Sequence, residues 1–242
     1  MVIPLYLAMT AAEAAANSFP ENPAYMACHF SSYGCGLSNL PRYLPEGALL
    51  ILNDRIPLWG HDPQLVAQQL DSIVQAFSCC GILLDLQRPG DSAVDTVVET
   101  ILDALPCPVG VSEHYAKDHT CPVFLSCPPP DIPLANHIAP WEGREIWLEA
   151  ATETIEIAVT QTGSIVTPLP LQEPEALSHM DETACCRYHV QVLPDRAVFT
   201  LSRTEKELAL LLEQAAGYHV TKAVGLYQQL KHFKTEKEDP QI

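Results

Sequence analysis

Cys80-Gly81-Ile82-Leu83-Leu84-Asp85-Leu86-Gln87 follows directly on a long amphipathic segment, and its reading decides the fold. An apolar run of this length, broken by one Asp and by a polar side chain two residues later, is the pattern of a parallel strand buried on both faces. Strand side chains alternate, so Asp85 and Gln87 leave this strand on the same face. In α/β barrels, catalytic and ligand-binding groups sit at that C-terminal exit.

The neighbouring segments extend the pattern. Asp62-Pro63 opens the preceding helix as an N-cap with Pro at the first helical position. Leu65, Val66, Gln69, Leu70, Ile73, Val74 and Phe77 then form a largely apolar stripe at helical spacing. Asp91 or Ser92 caps the next helix, whose buried face is Val94, Val97, Val98, Ile101, Leu102 and Leu105. Strand-like runs precede this unit at Pro4–Ala8, Ala24–Phe30 and Ala48–Leu52, with a short Thr10-capped helix after the first and a Gly/Ser/Pro-rich connection from Ser31 to Pro45. Pro108–Val111 and Pro122–Leu125 follow it, separated by a turn-rich segment with no evident helix.

The second half is less regular. Pro128 to Trp141 reads as a loop, and Glu145–Ala150 as a strand with Trp147 and Glu149 on one face. Ile155–Leu169 alternates around Thr162-Gly163, and Tyr188–Val192 faces Ala197–Leu201 across Pro194-Asp195-Arg196, giving two hairpins. Thr204 and Glu207 form a capping box for a helix through Ala215, Gly217 ends it, and Val220–Leu226 offers a last strand. This order predicts an α/β fold, an irregular (β/α)8-like TIM barrel with some crossover helices lost. Residues 1–242 are expected to form one barrel domain, with a β-hairpin insertion over roughly residues 150–200. An open α/β sheet with an appended β-subdomain is the competing architecture.

Charge narrows the partners. With 13 Lys+Arg against 30 Asp+Glu, the formal net charge is -17, which repels phosphate backbones and gives no attraction to anionic membranes. Neither nucleic acid nor membrane is therefore expected as a partner, and the oligomeric state is left open. The nine cysteines are odd in number, and two pairs are adjacent (Cys79-Cys80 and Cys185-Cys186). That usage suits reduced, buried thiols and a cytoplasmic location. The apolar start, Met1 to Met9, lacks a basic region and contains Pro4.

Cys28, His29, Cys35, Cys107, His114, His119, Cys121 and Cys127 are residue types that ligate metals, but paired Cys at zinc spacing and HExxH are absent. No P-loop, GxSxG or dinucleotide fingerprint occurs, so neither metal nor cofactor is expected. Cys127, at a strand end, is the best-placed thiol for a nucleophile.

The stretch from Cys80 to Gln87 resembles the signature D-G-x-D-x-D-x-E of the family-18 glycoside hydrolases, the chitinase-like barrels. Gly81 and the last Asp, Asp85, are kept; Cys80 and Leu83 stand at the first two Asp positions, and Gln87 stands where the family has its proton-donating Glu. The resemblance is strong from about Leu65 to Pro89. Gly225-Leu226-Tyr227 is loosely similar to the last barrel strand, where the family often places a Trp under the sugar.

The resemblance implies a barrel that binds an oligosaccharide, with Asp85 orienting an acetamido group in a substrate-assisted mechanism. A primary amide has no titratable proton near neutral pH, so Gln87 implies impaired hydrolysis. Other strand ends supply Asp54, Glu113, Glu149 and Gln228, and an active hydrolase using relocated carboxylates is the alternative. A non-enzymatic interaction module is the third. Asp85, Glu113 and Glu149 are thus the candidate catalytic groups, and Gln87, Asp54, Trp147, Tyr227 and Gln228 the candidate ligand contacts. Trp59, Trp141 and Tyr115 are further candidate sugar platforms.

Overall fold

A computed structural model describes residues 2–34, 36–58, 60–88, 92–171 and 178–233. The candidate platform Trp59, the candidate ligand Cys35 and the candidate cap Asp91 lie outside the described residues.

In chain order the first half runs β1 (Leu5–Met9), α1 (Ala11–Ala16), β2 (Pro23–Phe30), β3 (Leu37–Ser38), β4 (Leu49–Asn53), α2 (Pro63–Phe77), β5 (Gly81–Asp85), α3 (Ser92–Ala104), β6 (Val109–Ser112), α4 (Glu113–Ala116) and β7 (Val123–Leu125). The second half runs α5 (Leu134–Ile138), β8 (Ile146–Ala150), β9 (Glu153–Thr160), β10 (Gly163–Leu169), β11 (His179–Asp181), β12 (Cys186–Val192), β13 (Arg196–Arg203), α6 (Glu205–Ala215), β14 (Val220–Leu226) and α7 (Tyr227–Leu230).

Eight strands pair in parallel in the order β1-β14-β8-β7-β6-β5-β4-β2, and β1 pairs with β2 as well, which closes the ring. The fold is a (β/α)8 barrel, and β5 is its fourth strand. Alternation divides the side chains of the strands. Ile82 and Leu84 face outward to the layer that includes Val66, Leu70, Val97 and Val98 of α2 and α3. Tyr6, Ala8, Ala24, Leu49, Ile51, Leu83, Phe124, Trp147 and Val224 face inward and fill the barrel.

Two glycines make room for the largest of these. A Cβ on Gly110 would lie 2.3 Å from Trp147, and one on Gly81 would lie 2.8 Å from the Pro108 carbonyl and 3.3 Å from Trp147. Gly81 therefore has a packing reason to be glycine whatever the chemistry above it.

Several connections are more ordered than the sequence suggests. The segment between β6 and β7 holds the single turn α4, whose Tyr115 and Ala116 are buried. Pro128 to Trp141 holds α5 and a 3-10 turn, because Leu134 and Ile138, four residues apart, both bury one face. The connection from Ser31 to Pro45 includes β3, antiparallel to β2.

Between the seventh and eighth barrel strands lies a five-stranded antiparallel sheet in the order β10-β9-β13-β12-β11. Its two hairpins join through β9 and β13. No helix among the described residues is long and apolar enough to cross a membrane.

Candidate functional site

The exit of β5 is braced from both neighbours. Asp54, buried just beyond β4, accepts the backbone N–H groups of Gln87 at 3.0 Å and Arg88 at 2.8 Å on one carboxylate oxygen. Ser112, buried at the end of β6, accepts the N–H of Leu86 and donates to the Leu84 carbonyl. Tyr115 donates to the Arg88 carbonyl. These bonds hold the chain beyond the last ladder pairing, so Asp85 and Gln87 keep the direction set by the strand.

Above the packed interior, at the C-terminal end of the barrel, a cavity opens in two connected lobes of about 510 and 340 Å³. Asp85, Phe124 and Glu149 line both. The smaller lobe adds Gln87, Ser112, Glu113, His114 and Ser126. The larger is bounded by, among others, Thr10, His29, Asn39, Asn53, Arg55 and Leu226. Three candidate catalytic groups and Gln87 thus meet at one concavity.

Within it, the Gln87 Nε2 donates to Asp85 Oδ1 at 2.5 Å. Burial pushes the Asp85 carboxyl above its ordinary value, the hydrogen bond from Gln87 opposes this, and the negative charge of Asp54 adds to the rise. Glu149 is also pushed up, by burial first and then by the charge of Asp85, while the Cys127 N–H it accepts at 3.1 Å works the other way. Burial thus raises both carboxyls, and the charge of Asp85 adds to the rise of Glu149.

Four candidate ligand contacts take other places. Asp54 spends its carboxylate on backbone N–H groups and lines neither lobe. Trp147 is wholly buried inside the barrel, its indole N–H donating to Glu145 and the Lys222 ammonium 4.4 Å from the ring centroid, so it offers no face to a sugar. Tyr227 starts α7 and lies off the cavity wall; the apolar side chain at this exit is its neighbour Leu226, 41% exposed. Gln228 lies beside the Glu13 carboxylate and lines neither lobe.

Of the other platforms, Tyr115 is buried with its hydroxyl on Arg88, and Trp141 lies beneath the Arg144 guanidinium. Cys127 is no exposed nucleophile: burial outweighs the nearby Arg203 and pushes its thiol up.

Sequence reasoning missed His29 as a wall residue, along with Asn39, Arg55, Phe124 and Leu226. Phe124 follows from alternation along β7, and His29 from its place at the end of β2; both signals were present. Asn39 lies in an irregular connection with no periodic signal, and its Nδ2 donates to His29 Nε2 at 3.1 Å. The His29 Nδ1–H in turn donates to the Phe30 carbonyl, which fixes the tautomer.

No family model matches the sequence, and no curated protein matches it either. Solved structures do match the fold. The chain is similar to a glycoside hydrolase family 18 N-acetylglucosaminidase from Paenibacillus barengoltzii, with TM-score 0.61 and 9% identity over 96% of this chain and 97% of that one. It is similar to a family-18 chitinase from Cycas revoluta, solved with (GlcNAc)3, with TM-score 0.53 and 9% identity over 93% and 95% of the two chains. A chitinase from Chromobacterium violaceum gives TM-score 0.51 and 10% identity over 92% and 93%. The chain therefore shares the (β/α)8 barrel fold of these family-18 structures.

Proposed function

We propose that this barrel binds an N-acetylated glucosamine oligosaccharide and is impaired in hydrolysing it. The single observation behind this reading is the Gln87 carboxamide bonded to Asp85 at the exit of the fourth barrel strand. The family-18 resemblance places the proton donor there, and an amide cannot protonate a glycosidic oxygen. It can donate and accept hydrogen bonds, and with Asp85, Glu113 and Glu149 it offers a polar wall to sugar hydroxyls and acetamido groups. Phe124 and Leu226 offer the apolar surface that Trp147 and Tyr227 do not. The 242 residues are proposed to act as one barrel domain carrying its insertion.

Calorimetry with triacetylchitotriose tests the binding, and Gln87→Glu tests the chemistry. The variant is expected to raise cleavage of an aryl chitobioside by on the order of 10²–10⁴-fold, the usual contribution of a placed general acid. Binding without any gain would show that residue 87 is not at the acid position. Failure of every chito-oligosaccharide to bind would remove the reading.

One observation favours a second reading, an active hydrolase with relocated acids. Asp85 and Glu149 share the cavity, burial raises the proton affinity of both, and the charge of Asp85 raises that of Glu149 further. A bell-shaped pH–rate profile in the unmodified protein, abolished by Glu149→Gln, would select it over the first.

A further inference from the structure

We propose that the glycan carries an anionic substituent, a carboxylate or a sulfate, and that the Arg55 guanidinium receives it at the rim of the larger lobe. This inference rests on the glycan-binding reading and names the chemical class of its ligand.

Arg55 is the only Arg or Lys among the described residues that line the cavity. The chain has more than twice as many acidic as basic residues, so carboxylate partners abound. Yet among the described residues Arg55 enters no ion pair, and no side-chain hydrogen bond from its guanidinium is present. Its backbone, by contrast, is clamped. The Arg55 N–H donates to Asn53 Oδ1 at 3.1 Å, and Asn53 Nδ2 donates to the Met26 carbonyl at 2.8 Å. The Arg55 carbonyl accepts Arg88 Nη2 at 3.1 Å.

A second guanidinium, that of Arg88, is thereby anchored to the Arg55 backbone, on a residue whose own N–H is fixed by Asp54. A bound carboxylate or sulfate would accept the paired donors of the Arg55 guanidinium fork. The overall negative charge does not defeat this. At physiological salt, exposed charges beyond about 8 Å are largely screened, whereas contact with Arg55 is local. The carboxyls that line the same lobe as Arg55, Asp85 and Glu149, are ones whose burial favours the uncharged form.

The test is calorimetry on the full chain with diacetylchitobiose, its 6-O-sulfated form, N-acetylglucosaminyl-N-acetylmuramic acid, and the methyl ester of the last. One anionic form is expected to bind about tenfold more tightly than chitobiose. The preferred form then distinguishes sulfate from carboxylate. The ratio should fall to about one in Arg55→Gln, survive in part in Arg55→Lys, and shrink as salt rises, as a guanidinium contact requires. If the preferred form is the carboxylate, the ester should lose the advantage.

Equal binding of chitobiose and both anionic forms would overturn the inference and leave the glycan reading standing. An advantage that persists in Arg55→Gln would also overturn it. Absence of binding by all four sugars would remove both.

Discussion

Asp85 and Glu149 are in tension with the fold at neutral pH. Both carboxyls are raised above their ordinary values, so between the unfolded and folded values the folded chain holds protons that the unfolded chain has released. Stability from these groups is therefore present below the unfolded value and is lost as pH rises through the folded one. Glu149→Gln keeps an oxygen for the Cys127 N–H and removes the charge. Its thermal midpoint should exceed that of the parent at pH 7–8, and the gap should close on acidification to about pH 4. A variant less stable than the parent across that range would show that Glu149 is not destabilised by its charge.

Asp85, Gln87 and Glu149 were legible because period-two alternation carries them to the strand exits. Asp54 was legible only as a polar group at an exit. Whether such a carboxylate turns to the cavity or back to the neighbouring backbone depends on where the next strand's loop passes. That path is set by tertiary packing.

At the scale of elements, the fit of β8 against β5 and β6 is the tightest feature of the barrel. A Cβ at Gly110 meets the Trp147 ring at 2.3 Å, with the ring wedged between strands and unable to withdraw. Gly110→Ala is expected to cost about 1–3 kcal/mol. At roughly 2–4 °C per kcal/mol for a chain of this size, calorimetry should register a clear fall in Tm. An unchanged Tm would mean that the interior has slack beside the indole.

The strands and the long helices α2, α3 and α6 were readable from periodicity and caps, and the Thr204–Glu207 capping box forms as expected. The inward destination of Trp147 was not. Alternation placed it on the same face as Glu149, but that face is cavity only at the last inward position and solid below it. The glycines at 81 and 110 were the available clue, since a missing side chain in two neighbouring strands makes room for a large one between them.

For the whole molecule, the decisive cation is Arg203. Fully buried at the end of β13, it donates to the Pro128, Ala184 and Cys185 carbonyls and to the Cys127 sulfur. It thus ties the inserted sheet to the loop after β7, and that loop's Cys127 N–H holds Glu149. Arg203→Met strands several buried acceptors, at a cost on the order of 3–5 kcal/mol. The urea midpoint should drop accordingly, and a wild-type midpoint would show that the junction carries little stability. No sequence signal announced this link, because its partners lie about 75 and 19 residues away and meet only when ring and insertion are both formed. Ring closure itself, β1 against β14, was likewise an inference from counting strands.

The filled interior also governs traffic. With Trp147 and its neighbours packed beneath Asp85 and Glu149, the mouth has a solid floor. The axis of the ring is closed to passage, so an occupant of this mouth would come and go on the side of the strand exits.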